Sequence, residues 1–302
     1  MEWMIFGAAS AFTFALVSVL DKLLISDHVP NSKVFIVYVG FAQILLGISV
    51  LPVAINSDFP VNGIVIATLS GILSGMYLVL MFTIMASQDV SRVVPVVSTY
   101  PIFVAILAFF FLNENVTILT MLGILVTVVG AALVSLGPAK NGAESERSDI
   151  KALLLLVAAS LFFGLSQFVT KIIADDMTIW GQFLLRGLGG GIVCMSLIIL
   201  PGVYNGVLKV GKNPRSLALI AGTEGFLVFF AILFFFLAVY SGEVYLVSTA
   251  MATRPLFVFI LGTLASIPIL KLLNEPLYGK AFLIRIIGTI MTVAGVVAVT
   301  TL

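Results

Sequence analysis

The chain has 302 residues, 61% hydrophobic and only 10% charged, with fifteen Lys and Arg against fourteen Asp and Glu for a net charge of +1. A soluble domain carries about a quarter charged residues, so a water-soluble globule is excluded, and no nucleic-acid partner is expected. One cysteine, Cys194, and one histidine, His28, exclude an intramolecular disulfide and any metal site built on Cys or His. No cofactor is expected.

The shortage of charge runs along the whole chain, which predicts many membrane crossings rather than a single anchor. A lipid-crossing helix takes about 20 apolar residues, and ten stretches meet that measure. The first, 3–24, has Glu2 where a signal peptide would be basic and no small-residue cleavage site after it, so it reads as a retained helix. Ser18 and Lys22 lie near its end. After 34–55 comes 62–86, where Ser70, Ser74, Tyr77 and Met81 recur at spacings of four, three and four and share one helical face. Such a stripe faces the bundle, as pathway lining or as packing contacts. The stretch 93–112 carries Thr99, Tyr100 and Pro101, and 116–137 follows. A polar run, GPAKNGAESERSD, then reads as a linker. The sixth stretch, 151–174, shows a second stripe of Ser160, Gly164, Gln167 and Lys171. Beyond 178–203, the stretch 216–240 holds Glu224 well inside a crossing. The ninth, 245–272, carries Arg254 and Pro255 and is expected to break near Pro268, and 281–302 closes the series. These runs are continuous rather than alternating, which excludes a membrane β-barrel.

The second half repeats the first. STYPIFVAIL (98–107) returns as ATRPLFVFIL (252–261) with six of ten positions identical, Leu112-Asn113-Glu114 as Leu273-Asn274-Glu275, and GILVTVVG as GTIMTVAG. The predicted organisation is two five-helix units, 1–137 and 151–302, joined by a linker at 138–150. Lys22, Lys33, Arg92, Lys140, Lys209, Lys212 and Arg215, among other cations, fall at one end of the helices. Glu2, Asp58, Glu114, Asp175, Asp176 and Glu243 fall at the other, with Lys171. Basic short loops stay in the cytoplasm, so both termini are expected outside the cell membrane. Five is odd, so the two copies lie upside down to each other. The fold class is an all-α membrane protein, ten transmembrane helices as two inverted five-helix repeats.

A charge at mid-helix costs roughly 2.5–3.5 kcal/mol on insertion scales, which calls for a partner or a water-filled cavity. Glu224 reads as a proton-carrying carboxylate or an anchor for a substrate ammonium, against a structural ion pair with Arg254 or Arg186. Arg254 stands where the first copy has Tyr100, and a guanidinium suits a bidentate grip on carboxylate or phosphate. Pro101 and Pro255 break the helical ladder and free carbonyls within the membrane. The candidate pathway is Glu224, Arg254, Tyr100, Thr99, Tyr77, Ser74 and Gln167. Lys22 and Lys171 are pseudo-equivalent and read as snorkelling to the interface or as gates. Gly71 with Gly75, and Gly187 with Gly191, read as packing pairs. Gly123 with Gly130, and Gly288 with Gly295, share a seven-residue spacing that predicts an equivalent interface, one helix against the other. Glu114 and Glu275 read as loop caps rather than catalytic acids.

The run Ala86-x-x-Asp-Val-Ser-Arg-Val-Val-Pro95, then Thr99-Tyr100-Pro101-Ile-Phe103, Asn113-Glu114 and Gly123 through Gly130, resembles the EamA repeat of the drug/metabolite transporter superfamily. Glu243-Val244, Arg254-Pro255-Leu-Phe257, Asn274-Glu275 and Gly288 through Gly295 resemble it again. The resemblance implies an inner-membrane permease or exporter for small organic metabolites such as amino acids. No GxxxxGK[ST] motif is present, which excludes direct ATP drive by this chain; coupling to protons or exchange is expected. The partners are membrane lipid and a small-molecule substrate. The alternative is a membrane enzyme acting on a lipid-linked substrate. Such enzymes cluster their catalytic groups, whereas the acids here are scattered singly, so no enzymatic activity is expected.

Overall fold

The structure, a computed structural model, describes residues 2–56, 58–112, 114, 116–134, 143–265 and 280–301. Every regular element among them is helical. α1 (Glu2–Leu23) continues through a π-helical turn, Leu24–His28. α2 (Ser32–Ser49) begins at Asn31, whose side chain accepts from the Val34 N–H, and a single turn, α3 (Leu51–Ala54), follows. α4 (Val61–Met85) is unbroken. α5 (Val90–Val97) and α6 (Pro101–Phe111) are two pieces of one crossing, and α7 (Ile118–Val134) ends the first half. α8 (Ala143–Ile172) opens the second half. α9 (Ile179–Met195) is capped by Thr178, which accepts from the Gly181 N–H. The short α10 (Val203–Gly211) starts after Gly202, which takes the left-handed conformation at φ 79° that glycine adopts without steric penalty. α11 (Pro214–Ile220) runs through a π-helical turn, Ala221–Leu227, into α12 (Val228–Ser241). α13 (Val244–Met251) and α14 (Arg254–Ala265) again split one crossing, and α15 (Lys280–Thr301) comes last.

Among the described residues, eight helical rods are long and apolar enough to cross a membrane, and two shorter apolar helices, Ile118–Gly130 and Ile286–Val299, stand where the fifth and tenth crossings are expected. The outer surface is as oily as the interior: Phe109, Phe110, Phe111, Leu122 and Leu125 are exposed, while Ser70, Ser166, Gln167, Thr170 and Arg186 are buried. That inversion suits a lipid surround, where polar groups must find partners within the protein. Of the linker expected at 138–150, residues 138–142 lie outside the described residues, as do Pro268 and Glu275, while 143–150 are not a loop but the first turns of α8.

Glycines set the helix contacts, as their spacing predicts. α7 and α15 run antiparallel: Gly123 meets Gly295 and Val299, and Gly130 meets Gly288 and Thr292. A methyl group on Gly130 would stand 2.5 Å from the Thr292 backbone nitrogen and 2.6 Å from the Gly288 oxygen. Thr127 and Thr292 turn their hydroxyls back to the carbonyls of Gly123 and Gly288, 2.9 Å in each case, so these two hydroxyls are satisfied within their own helices. Gly40 and Gly47 of α2 press on Gly191 and Gly187 of α9, also antiparallel, and Gly71 and Gly75 of α4 lie against Arg186 and Gly190.

Each proline-broken crossing is interrupted where the repeat predicts. Pro101 and Pro255 sit in the first turn of α6 and α14, where a helix needs no amide donor. A carbonyl near the second break, that of Ser248, accepts the Tyr100 hydroxyl at 3.2 Å, so the first half stabilises the break in the second.

The ends of the bundle differ in charge. Lys209 and Lys212 gather beside Asp27 and His28 at one end. Asp58 and Asp176 share a shallow pocket at the other, and Glu114 lies near Glu243 and Lys171. The Glu114 carboxylate accepts from the backbone N–H of Val244 at 2.9 Å and of Tyr245 at 3.4 Å, capping α13 across the two halves. Burial pushes its carboxyl above the usual carboxylate range, while those two donors pull it back. The expected capping role for Glu114 is met.

Candidate functional site

Helices α1, α4, α9, α14 and the π-helical turn before α12 enclose a cavity of about 40 Å³, room for a few water molecules. Of the sequence-predicted residues, Glu224, Arg254, Tyr77 and Ser74 line it. They come together because each sits on the buried face of its helix: Tyr77 is 4% exposed, Glu224 2% and Arg254 7%. A π-turn widens the helix by one residue and is frequent at functional sites, and here it carries Glu224.

Arg254 does not hydrogen-bond to Glu224, the ion-pair alternative raised from sequence. Its Nη1 donates to the Tyr77 hydroxyl at 3.0 Å and its Nε to Ser18 Oγ at 3.2 Å, and the guanidinium lies 5.4 Å from the centre of the Phe14 ring. Tyr77 donates in turn to the Met81 sulfur. Arg186 is likewise held by hydroxyls: its Nη1 donates to Ser70 at 2.7 Å, Ser166 at 2.6 Å and Thr170 at 3.2 Å, and its Nη2 to Ser74 at 3.2 Å. The Ser70–Ser74–Tyr77 stripe is therefore the face that receives both guanidiniums.

Three predicted residues do not line the cavity. Tyr100 sits behind Phe163, edge-on at 4.7 Å, while Tyr77 stacks on the same ring from the cavity side at 4.5 Å. Thr99 shares a hydrogen bond with Ser160 at 2.9 Å. Gln167 is fully buried beside Met251 with its Oε1 unpartnered. Lys22 and Lys171 do not line the cavity. Lys22 donates to the carbonyls of Met85 and Gln88 at the end of α4, at 2.7 and 2.8 Å. Lys171 donates to those of Val239 and Gly242 at the end of α12, at 3.0 and 2.9 Å. Each binds the orphan carbonyls that close a helix.

Two cavity residues escaped the sequence reading. Asp21 is 1% exposed and faces the cavity; beside Lys22 near the end of an apolar run, it looks like part of a helix-end polar pair. Arg186 was weighed only as a partner for Glu224. The glycines around it, which let α9 approach α2 and α4 closely, were the signal that its side chain must point inward.

A helical bundle with an apolar outside and a polar, partly hollow inside is a multi-pass membrane protein. Residues 1–136 match the family model of the EamA-like transporter family. The family is one of membrane transporters of the drug/metabolite transporter superfamily. No curated protein matches the chain. A crystal structure 16% identical in sequence superposes with a TM-score of 0.64, covering 99% of this chain and 96% of that one. At that identity the likeness shows a shared fold.

Proposed function

We propose that the chain is a secondary transporter that moves a small organic metabolite, an amino acid or a related compound, across the cell membrane by alternating access between two inverted repeats. The observation that carries this reading is the central cavity, where charged side chains of the first half (Asp21) and of the second (Arg186, Glu224, Arg254) converge inside an otherwise apolar bundle. Intramembrane ionisable residues that face a cavity mark solute or ion pathways. Inversion is supported by the antiparallel contacts of α7 with α15 and of α2 with α9, and by matching lysine caps on α4 and α12. Each pair would be interchanged by a two-fold axis in the membrane plane.

The cavity is too small for a whole metabolite in this state, so the halves open to admit one. The broken crossings α5–α6 and α13–α14 supply the hinges, and coupling is to protons or to exchange of a second solute. The basic end, with Lys209 and Lys212, faces the cytoplasm, which places both termini outside.

Purified protein in vesicles tests the reading. A thermal-shift screen against amino acids, nucleobases and sugars selects the solute, and uptake or efflux of that solute is expected only in vesicles that contain the protein. Solute binding without flux in either direction, under any ion gradient, would remove the transporter assignment. A reporter fused after Leu302 is expected to be active outside; activity in the cytoplasm reverses the orientation.

A further inference from the structure

Asp21 and Glu224 reach the cavity from different halves, the first near the end of α1 and the second from the π-turn before α12. Both are at least 98% buried, and neither Asp21 oxygen nor Oε1 of Glu224 has a hydrogen-bond partner. The two carboxyls are nevertheless close enough to act on one another, and the Arg254 charge acts on Asp21. Two ionised carboxylates side by side away from water repel by on the order of several kcal/mol. Arg254 offsets one negative charge, although its N–H groups go to Ser18 and Tyr77. Arg186 is turned towards hydroxyls on α4 and α8. The other titratable groups facing the pair are Tyr77 on α4 and Cys194 on α9; α2 contributes Gln43, which does not titrate. Lys22, next to Asp21, donates to the end of α4. One negative charge and one acidic proton on the pair is then the arrangement that balances Arg254.

Nothing in the fold requires acids at this place. The residue before the capping lysine is Asp21 in the first half and Thr170 in the second. Fifteen residues before the first capped carbonyl lies Ser70 ahead of Met85, and Glu224 ahead of Val239. The matching corner is thus Ser70 with Thr170, whose hydroxyls bond each other at 2.7 Å. Hydroxyls fill one corner bonded to one another and to Arg186, while the carboxyls of the other corner face only each other, where a single proton can join them.

We propose that Asp21 and Glu224 form a single exchange site for a monovalent cation: one proton resides on the pair at rest, and the ammonium group of a solute displaces it. The carboxyl O–H bond breaks, its proton passes to water, and the solute's N–H groups donate to both carboxylates, so the net charge of the site is unchanged. This rests on the transporter reading and adds to it a substrate class, solutes bearing a protonated amine, and a coupling ion, the proton.

The test uses the purified full-length protein in detergent with benzylamine, which is a cation near neutral pH, and an indicator dye in weak buffer. About one proton is expected to leave per benzylammonium bound, with apparent affinity falling about tenfold per pH unit on acidification, as reciprocal linkage demands. Asp21→Asn and Glu224→Gln each remove both effects, and benzyl alcohol releases no proton. Infrared spectra without any solute carry a protonated-carboxyl band that either substitution abolishes. The proposal is overturned by absence of that band from the folded wild-type protein, by failure of benzylammonium to bind, by binding without proton release, or by release that persists in both variants. Band and release intact, with no flux in vesicles, would sink the transporter reading and leave the exchange site standing.

Discussion

Lys22 and Lys171 close the ends of α4 and α12 by the same device, two backbone carbonyls held by one ammonium. The corners beside them are finished in opposite ways. Next to Lys171, Ser70, Ser166 and Thr170 bond one another and take up Arg186, so a guanidinium buried in the membrane has donors and acceptors matched. Next to Lys22, Asp21 and Glu224 meet only each other, with no protein donor to either Asp21 oxygen or to Oε1 of Glu224, and the neighbouring Arg254 is held by other groups. A buried polar group without a hydrogen bond costs about 1–3 kcal/mol, more when charged. The first corner is built for stability. The second gives stability up, and stability is commonly given up where a ligand must bind.

The largest effect is expected at the open corner. Arg254→Leu removes the charge between Ser18 and Tyr77 and leaves the carboxyl pair uncompensated, so solute binding should weaken more than about 100-fold, near 2.7 kcal/mol, while the protein still inserts; unchanged affinity in the thermal-shift assay removes Arg254 from the site. Arg186→Leu strikes the closed corner, where the loss should appear as stability, about 3 kcal/mol from hydrogen bonds to a charged group, read as a lower unfolding midpoint. An unchanged midpoint would mean the hydroxyls satisfy each other without it. The double substitution Asp21→Thr with Glu224→Ser copies the closed corner into the open one. It should abolish amine binding and raise stability by about 1 kcal/mol, and a lower midpoint would show the acids to be structural.

The smallest effect lies outside both corners. The Glu114 carboxyl titrates above its unfolded value because burial outweighs its two backbone donors, so the folded state binds the proton more tightly than the unfolded one. Its contribution is then fully present below the unfolded value and lost as pH rises through the folded one. A melting midpoint that declines over that interval in the wild type, and declines less in Glu114→Gln, is the expected record.

Much of the architecture was legible because repetition and spacing are properties of a single strand of text. The apolar stretches mark the crossings, Pro101 and Pro255 mark where they break, and the shared seven-residue glycine spacing points to α7 on α15. The site was legible only in part. Ser74 and Tyr77 could be placed on one face of α4, but helical periodicity does not reveal which neighbour a face meets. Arg186 was for that reason weighed only as one alternative partner for Glu224, and its place on the serine stripe of α4 was not foreseen. Asp21 was missed because depth in the bundle, not composition, separates it from an interfacial residue. The π-turn at Ala221–Leu227 shifts Glu224 off the regular helical period, which sequence alone does not disclose.

The glycine contacts between α7 and α15 bring backbone against backbone, with Thr127 and Thr292 lodged against the partner's glycines. Displacing either helix along its axis would drive a threonine side chain into peptide planes that have no space for it. That pair therefore acts as a keel: any rearrangement that preserves this contact must keep the two helices in register, and can turn about it but not slide past it.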